Sequence, residues 1–200
     1  PPASLEPRRR EPESSGLRAV SGAAAHLPAT SGLHDEVMRR YGVGPHYADA
    51  YLRYWEDARG RRFETLSEIL SRPQPEPMWF DFALSANWRG ERLVERLAAV
   101  LPERPGRYLD VGCGFGGHLV AFSGRGWEVT GIEIDPPRIE LSRANLADRG
   151  LGDGVFARSI LEPDLGRDLG SFDLITCVDV IEHVDDAALA IARKAELLRP

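Results

Sequence analysis

The run Leu109-Asp110-Val111-Gly112-Cys113-Gly114-Phe115-Gly116-Gly117 constrains the fold of this chain more than any other stretch. An apolar segment enters a turn built largely of glycine, and a helical apolar pattern over 117–125 follows it. Glycine permits positive φ and lets a ligand come close to the backbone. The N–H groups that open the next helix have no partner within it. A strand, a tight glycine turn and a helix in that order point to a parallel sheet with crossover helices.

The residues that follow repeat the unit. Residues 108–111 read as a short strand, 127–134 as a second, 155–160 as a weak third and 172–178 as a strong fourth. Between them, 136–149 reads as a helix with proline near its start. Residues 185–198 read as another, with acids in its first turn where the dipole favours them. The expected class is α/β: a Rossmann-like parallel sheet flanked by helices, with a degenerate third helix and an N-terminal helical region before it. In that region Val37, Tyr41, Tyr47, Tyr51, Leu52 and Trp55 recur at helical spacing, as do Phe63, Leu66, Ile69 and Leu70. Residues 72–77 carry three prolines and read as a breaker and linker. Leu93, Val94, Leu97, Val100 and Leu101 form an amphipathic helix ended by Pro102. Residues 1–31, rich in Pro, Ser, Ala, Gly and Arg, read as a disordered or loosely attached tail. The expected organisation is therefore a tail over 1–31, a helical lid or substrate-side region over 32–101, and the sheet domain over 102–200.

Composition removes some partners. The net charge is −6, from 25 Lys+Arg against 31 Asp+Glu, which argues against a broad basic nucleic-acid surface. No apolar run has the length of a membrane span, and the N-terminus has no apolar core of a secretory signal. Two cysteines, Cys113 and Cys177, are too few for a disulfide framework. A reducing compartment, the cytoplasm, is the expected location.

The glycine turn also satisfies the dinucleotide pattern at Gly112, Gly114 and Gly117, so it does not choose its ligand alone. Asp110 does more. A carboxylate at the mouth of the loop repels a pyrophosphate but favours S-adenosylmethionine, which carries a sulfonium and an amino group. Glu133, at the end of the second strand about 20 residues on, is placed to accept hydrogen bonds from ribose hydroxyls. Either cofactor would use it. Asp135 competes for that role, and its simpler role is capping the helix that starts at Pro136.

These motifs resemble class I S-adenosylmethionine-dependent methyltransferases. Residues 109–119 look like their first motif and 129–135 like their second-strand acidic motif. The run 172–184 is similar to the fourth-strand segment of ubiquinone-biosynthesis O-methyltransferases and their small-molecule relatives. The resemblance covers roughly 107–200. It implies that Asp110, Gly112, Cys113 and Gly114 line the methionine moiety, that Glu133 holds the ribose and that Ile134 packs on the adenine. Ser159 and Ile160 would lie near the adenine amino group, where serine departs from the family's usual acid. Cys177 and Val178 would face the cofactor near its methyl. Cys113 reads as a small residue that fits the loop rather than a nucleophile.

His118 reads as a first-turn helix residue near the cofactor, with catalysis its minority role. His183 is the candidate general base for an acceptor hydroxyl. No metal is expected; the alternative is a divalent site on Asp179, Glu182 and His183. Trp79, Phe80, Phe82 and Trp88 read as core or lid packing rather than a base-stacking platform.

The resemblance implies methyl transfer to an oxygen or nitrogen of a small-molecule acceptor, with S-adenosylmethionine as cofactor. Val178-Asp179-Val180-Ile181 stands where amine-methylating relatives carry Asn/Asp-Pro-Pro-aromatic, which argues against that subclass. The family's sheet has seven strands and four are visible here, so the chain is expected to be part of a longer protein. The alternatives are an inactive methyltransferase-like scaffold and an NAD-dependent oxidoreductase.

Overall fold

The computed structural model describes residues 32–199. The expected tail over 1–31 lies outside the described residues. Five helices come first: α1 (Gly32–Tyr41), α2 (Pro45–Asp57), α3 (Leu66–Leu70), α4 (Glu76–Leu84) and α5 (Ala86–Leu97). Strands and helices then alternate: β1 (Arg107–Val111), α6 (Gly117–Ser123), β2 (Glu128–Glu133), α7 (Pro136–Ala147), β3 (Val155–Ala157), α8 (Leu165–Leu169), β4 (Leu174–Thr176), a 3-10 turn (Ile181–His183) and α9 (Ala187–Leu197).

The four strands form one parallel sheet in the order β3-β2-β1-β4. The strand order reverses between β1 and β4, and that is where open α/β sheets bind ligands, outside the carboxyl ends of the strands. Side chains alternate across the sheet. Tyr108 packs with Val94, Leu119, Phe122 and Trp127 on one face. Its neighbour Leu109 joins Val111, Ile132, Phe172 and Leu197 on the other.

The third and fourth strands are shorter than the apolar runs that announce them. Ser159 and Ile160 fall after β3, and Cys177 and Val178 after β4. The single apolar pattern from Val37 to Trp55 is two helices, because Gly42 adopts φ 64° and turns the chain after α1. The amphipathic helix stops at Leu97, so Val100 is 76% exposed instead of continuing the stripe.

The N-terminal helices build their own core. Tyr47, Tyr51, Trp55, Phe63, Ile69, Phe80 and Leu84 are buried together, and α7 contributes Leu141 to the cluster. Of the four aromatics expected as packing, Phe80 is fully buried, whereas Trp79, Phe82 and Trp88 are exposed. Helix α4 is apolar nearly all round (EPMWFDFAL), and only the face with Phe80, Ala83 and Leu84 meets the core. Trp79 and Phe82, three residues apart, share its outer face, ring centroids 6.0 Å apart.

Two further contacts hold these helices close to the sheet half. A Cβ on Gly90 of α5 would lie 2.1 Å from the Gly117 carbonyl, so α5 crosses the start of α6 at backbone contact. Asp148, after α7, accepts from the N–H groups of His46 and Tyr47, each at 2.9 Å. It thereby caps α2 from a distance, in place of the Gly44 N-cap that has no side chain to do so.

Candidate functional site

The sheet brings the sequence-predicted residues to one edge. Asp110 is the penultimate residue of β1 and Glu133 the last of β2, while Ser159 follows β3 and Cys177 and Val178 follow β4. Between β1 and α6 the loop takes left-handed turns at Gly112 (φ 68°), Gly114 (φ 54°) and Gly116 (φ 76°), a conformation that glycine adopts at no steric cost. A Cβ on Gly114 would meet nothing closer than 3.9 Å, so the backbone at Gly114 borders open space.

Glu133 is 5% exposed, yet its carboxylate is held wholly by backbone. Oε2 accepts from the Gly114 N–H at 3.0 Å, and Oε1 accepts from Ile134 at 2.8 Å and Asp135 at 3.1 Å. The acid therefore ties the glycine loop to the end of β2 and keeps a free lone pair on Oε2. Ile134 beside it is 72% exposed, an unusual position for a large aliphatic after a buried strand. Asp135 stands at the N-cap of α7 but its side chain does not cap; it pairs with Arg138 at 3.3 Å.

Asp110 is 1% exposed and both its oxygens are engaged. Thr176 Oγ1 donates to Oδ1 at 2.6 Å, and His118 Nδ1 lies 3.2 Å from Oδ2. The threonine proton goes to Asp110, so the Tyr108 hydroxyl donates to Thr176 Oγ1, 2.5 Å away. Burial, then the Asp110 charge, hold the Tyr108 phenol well above its ordinary range, which keeps it a donor. Burial draws the His118 imidazole down, but the hydrogen bond and charge of Asp110 outweigh it, leaving His118 above the usual 6.5. Tyr108, Thr176 and His118 had no motif to announce them as partners of Asp110. The available signal was register: Thr176 lies directly beside Asp110 on β4.

Other predicted residues sit differently. Cys113 is buried, with its thiol 3.8 Å from Ser142 Oγ; burial, then the Asp110 charge, push it far up and leave it no nucleophile. Ile160 is 3% exposed and belongs to the core with Leu109 and Ile132, away from solvent. Ser159 Oγ accepts from the Leu161 N–H at 3.2 Å. Cys177 is half-buried and Val178 is exposed. Asp179, Glu182 and His183 are exposed, and among the described residues no group of three or more acids, histidines or cysteines is gathered as a metal site.

A parallel sheet with an acid tied to a glycine turn beside its switch point is the arrangement at which open α/β sheets bind ligands. Residues 109–200 match the family model described as a methyltransferase domain. The chain is 28% identical over 151 residues to a ubiquinone biosynthesis O-methyltransferase of Aromatoleum aromaticum, covering 76% of this chain and 58% of that protein. It is 31% identical over 152 residues to the protein of the same name in Hahella chejuensis, covering 74% and 56%. Among solved structures it resembles a SAM-bound amino pentose methyltransferase of calicheamicin biosynthesis from Micromonospora echinaspora. That match has 28% identity and a TM-score of 0.50, over 66% of this chain and 54% of that one. The chain thus spans little more than half the length of these relatives. No helix among the described residues is long and apolar enough to cross a membrane.

Proposed function

We propose that this chain belongs to an S-adenosylmethionine-dependent methyltransferase that methylates an oxygen or nitrogen of a small-molecule acceptor. The observation that carries this reading is Glu133, buried at the end of β2 and bonded to the Gly114 N–H, with open space over Gly114. The donors and acceptors fit an adenosine-bearing group: the free Oε2 lone pair suits a ribose hydroxyl, and the exposed Ile134 offers an apolar face for a purine. When bound, S-adenosylmethionine supplies a methyl already activated on its sulfonium, for in-line displacement. The protein's work is then alignment and exclusion of water. The glycine turn sets the backbone against the ligand. Glu133 fixes the turn relative to β2, and Cys177 and Val178 follow the neighbouring strand end.

His183 is the proton acceptor we assign for an acceptor hydroxyl. It is exposed on the 3-10 turn after β4, and no side-chain hydrogen bond engages it among the described residues. The relatives' names make an O-methylated acceptor the favoured choice. Trp79 and Phe82 on α4 join the site through Phe115 of the glycine turn, 6.4 Å from Phe82. They form the apolar side from which an acceptor would be covered.

The test is calorimetric titration with S-adenosylhomocysteine, with NAD in parallel. Glu133→Ala should weaken S-adenosylhomocysteine binding by about a hundredfold, because it removes a buried charged acceptor and loosens the glycine turn. Binding of NAD instead, or no binding by the folded protein, overturns the reading.

A further inference from the structure

The glycine turn is gripped from the side of α7 as well as from β2. Ser142 and Asn145, three residues apart on α7, both reach it. A Cβ on Gly116 would lie 2.5 Å from Ser142 Oγ, so helix and turn are in close contact there. Asn145 is fully buried, and its Nδ2 donates to the Phe115 carbonyl at 2.9 Å. Among the described residues that carbonyl accepts no backbone N–H, so neither the sheet nor α6 holds it.

The orientation of the Asn145 amide follows from its partners. A backbone carbonyl can only accept, so Nδ2 and not Oδ1 must face Phe115. The other Nδ2 hydrogen goes to Asn87 Oδ1 at 2.8 Å, and Asn87 Nδ2 returns to Asn145 Oδ1 at 3.1 Å. This reciprocal pair joins the first turn of α5 to α7 and leaves no polar hydrogen of Asn145 without a partner. Flipping Asn145 would set its oxygen against the Phe115 carbonyl. A side chain that served packing alone could be a leucine of similar size, with no amide to desolvate.

Phe115, held in this way, stands between two parts of the site. Gly114 before it donates to Glu133 and borders open space. The Phe115 ring is half-buried, with centroids 6.2 Å from Tyr51 and 6.4 Å from Phe82. A swing of this residue would displace the ligand-side backbone and the aromatic side together.

We infer that Asn145, oriented by Asn87, is a positioning residue for methyl transfer: by fixing the Phe115 carbonyl it holds the glycine turn in the one shape that meets the cofactor at Gly114 and the aromatic side at Phe82. This rests on the methyltransferase reading and deepens it. Asn145 touches no ligand and acts through the turn. A glycine-rich turn has many accessible conformations. Choosing one of them costs binding free energy unless the protein has already made the choice.

The experiment measures S-adenosylhomocysteine affinity by calorimetry on folded protein, with urea unfolding alongside. Asn145→Asp keeps the shape of the side chain but, when ionised, sets a carboxylate oxygen against the Phe115 carbonyl. Affinity should fall about tenfold at about pH 8. Burial raises the pKa of the introduced carboxyl, so lowering the pH to about 5.5 returns a proton whose O–H can donate to Phe115. The ratio of wild-type to variant affinity should then shrink towards one, a recovery that a packing role would not produce. Asn87→Ala leaves Asn145 in place but removes the partner that orients it. It should weaken binding about threefold at every pH, and it carries the test if the Asn145 variant does not fold. Wild-type affinity in these variants at about pH 8, or a loss in Asn145→Asp that persists unchanged at low pH, overturns the inference while leaving the methyltransferase reading in place. Failure of the wild-type protein to bind S-adenosylhomocysteine overturns that reading itself.

Discussion

The helical half and the sheet half bury different chemistry. In the helical half, before residue 98, the buried side chains are mostly apolar, with Tyr47, Tyr51, Trp55, Phe63 and Phe80 as their aromatics, and two tyrosine hydroxyls end on backbone carbonyls: Tyr47 donates to Ala83 at 2.8 Å and Tyr51 to Trp79 at 3.3 Å. In the sheet half the buried set includes Asp110, Glu133, Ser142, Asn145 and Thr176. Burying a charge costs stability unless it is compensated; Asp110 is met by Thr176 and His118, and Glu133 by three backbone N–H groups. An apolar core needs no such arrangement. The contrast separates a region whose substitutions act through folding from one where they act through the ligand.

Removing an aromatic from the helical core is the strongest way to probe that contrast. Phe80 is fully buried, with ring centroids 5.0 Å from Trp55 and 5.5 Å from Tyr51. Phe80→Ala should destabilise the protein by about 3–5 kcal/mol, measured by urea unfolding. A single shifted transition is expected, since Leu141 of α7 lies within the same cluster. Two transitions with only one displaced would mean that the cores fold separately.

The link between the halves is the next target. Asp148 caps α2 through two backbone N–H groups and also meets His46 Nδ1 at 2.7 Å. Asp148→Ala should cost about 1–2 kcal/mol, the worth of a good helix cap. Amide exchange at His46 and Tyr47 should accelerate. Unchanged exchange there would show that the other contacts between the halves, among them α5 against α6 and Leu141 in the helical core, carry the docking.

The same difference in chemistry explains what could be read from the sequence. The glycine turn, Asp110 and Glu133 are local in sequence and tied to fixed backbone conformations, so their positions at the strand ends follow directly. The partners of Asp110 are not local: Thr176 reaches it through strand pairing 66 residues away, and no spacing rule announces that. Ile160 illustrates the opposite failure. It is one residue from a predicted polar contact, but the chain turns after β3 and sends it into the core. In the helices, a pattern of apolar residues identified the elements but not their facing. Helix α4 is apolar on both sides, and only packing decides that Phe80 goes in while Trp79 and Phe82 stay out. Asp148 as a cap for α2 lies 102 residues from the amide of His46 and was invisible for the same reason.

The smallest effect separates the two regions most cleanly, because it uses one chemistry at two places. Ile134 and Val100 are both exposed aliphatics, at 72% and 76%. Neither contributes much to the core, so truncation of either to alanine should change stability by less than about 0.5 kcal/mol. Ile134 follows Glu133 at the carboxyl end of β2, whereas Val100 lies in the connection between α5 and β1. If Ile134 supports a purine, Ile134→Ala should weaken S-adenosylhomocysteine binding about fivefold, from partial loss of buried apolar area. Val100→Ala should leave binding unchanged. Equal, negligible effects from both would mean that the exposure of Ile134 is ordinary surface, and that the adenosine contact rests on Glu133 and the glycine turn alone.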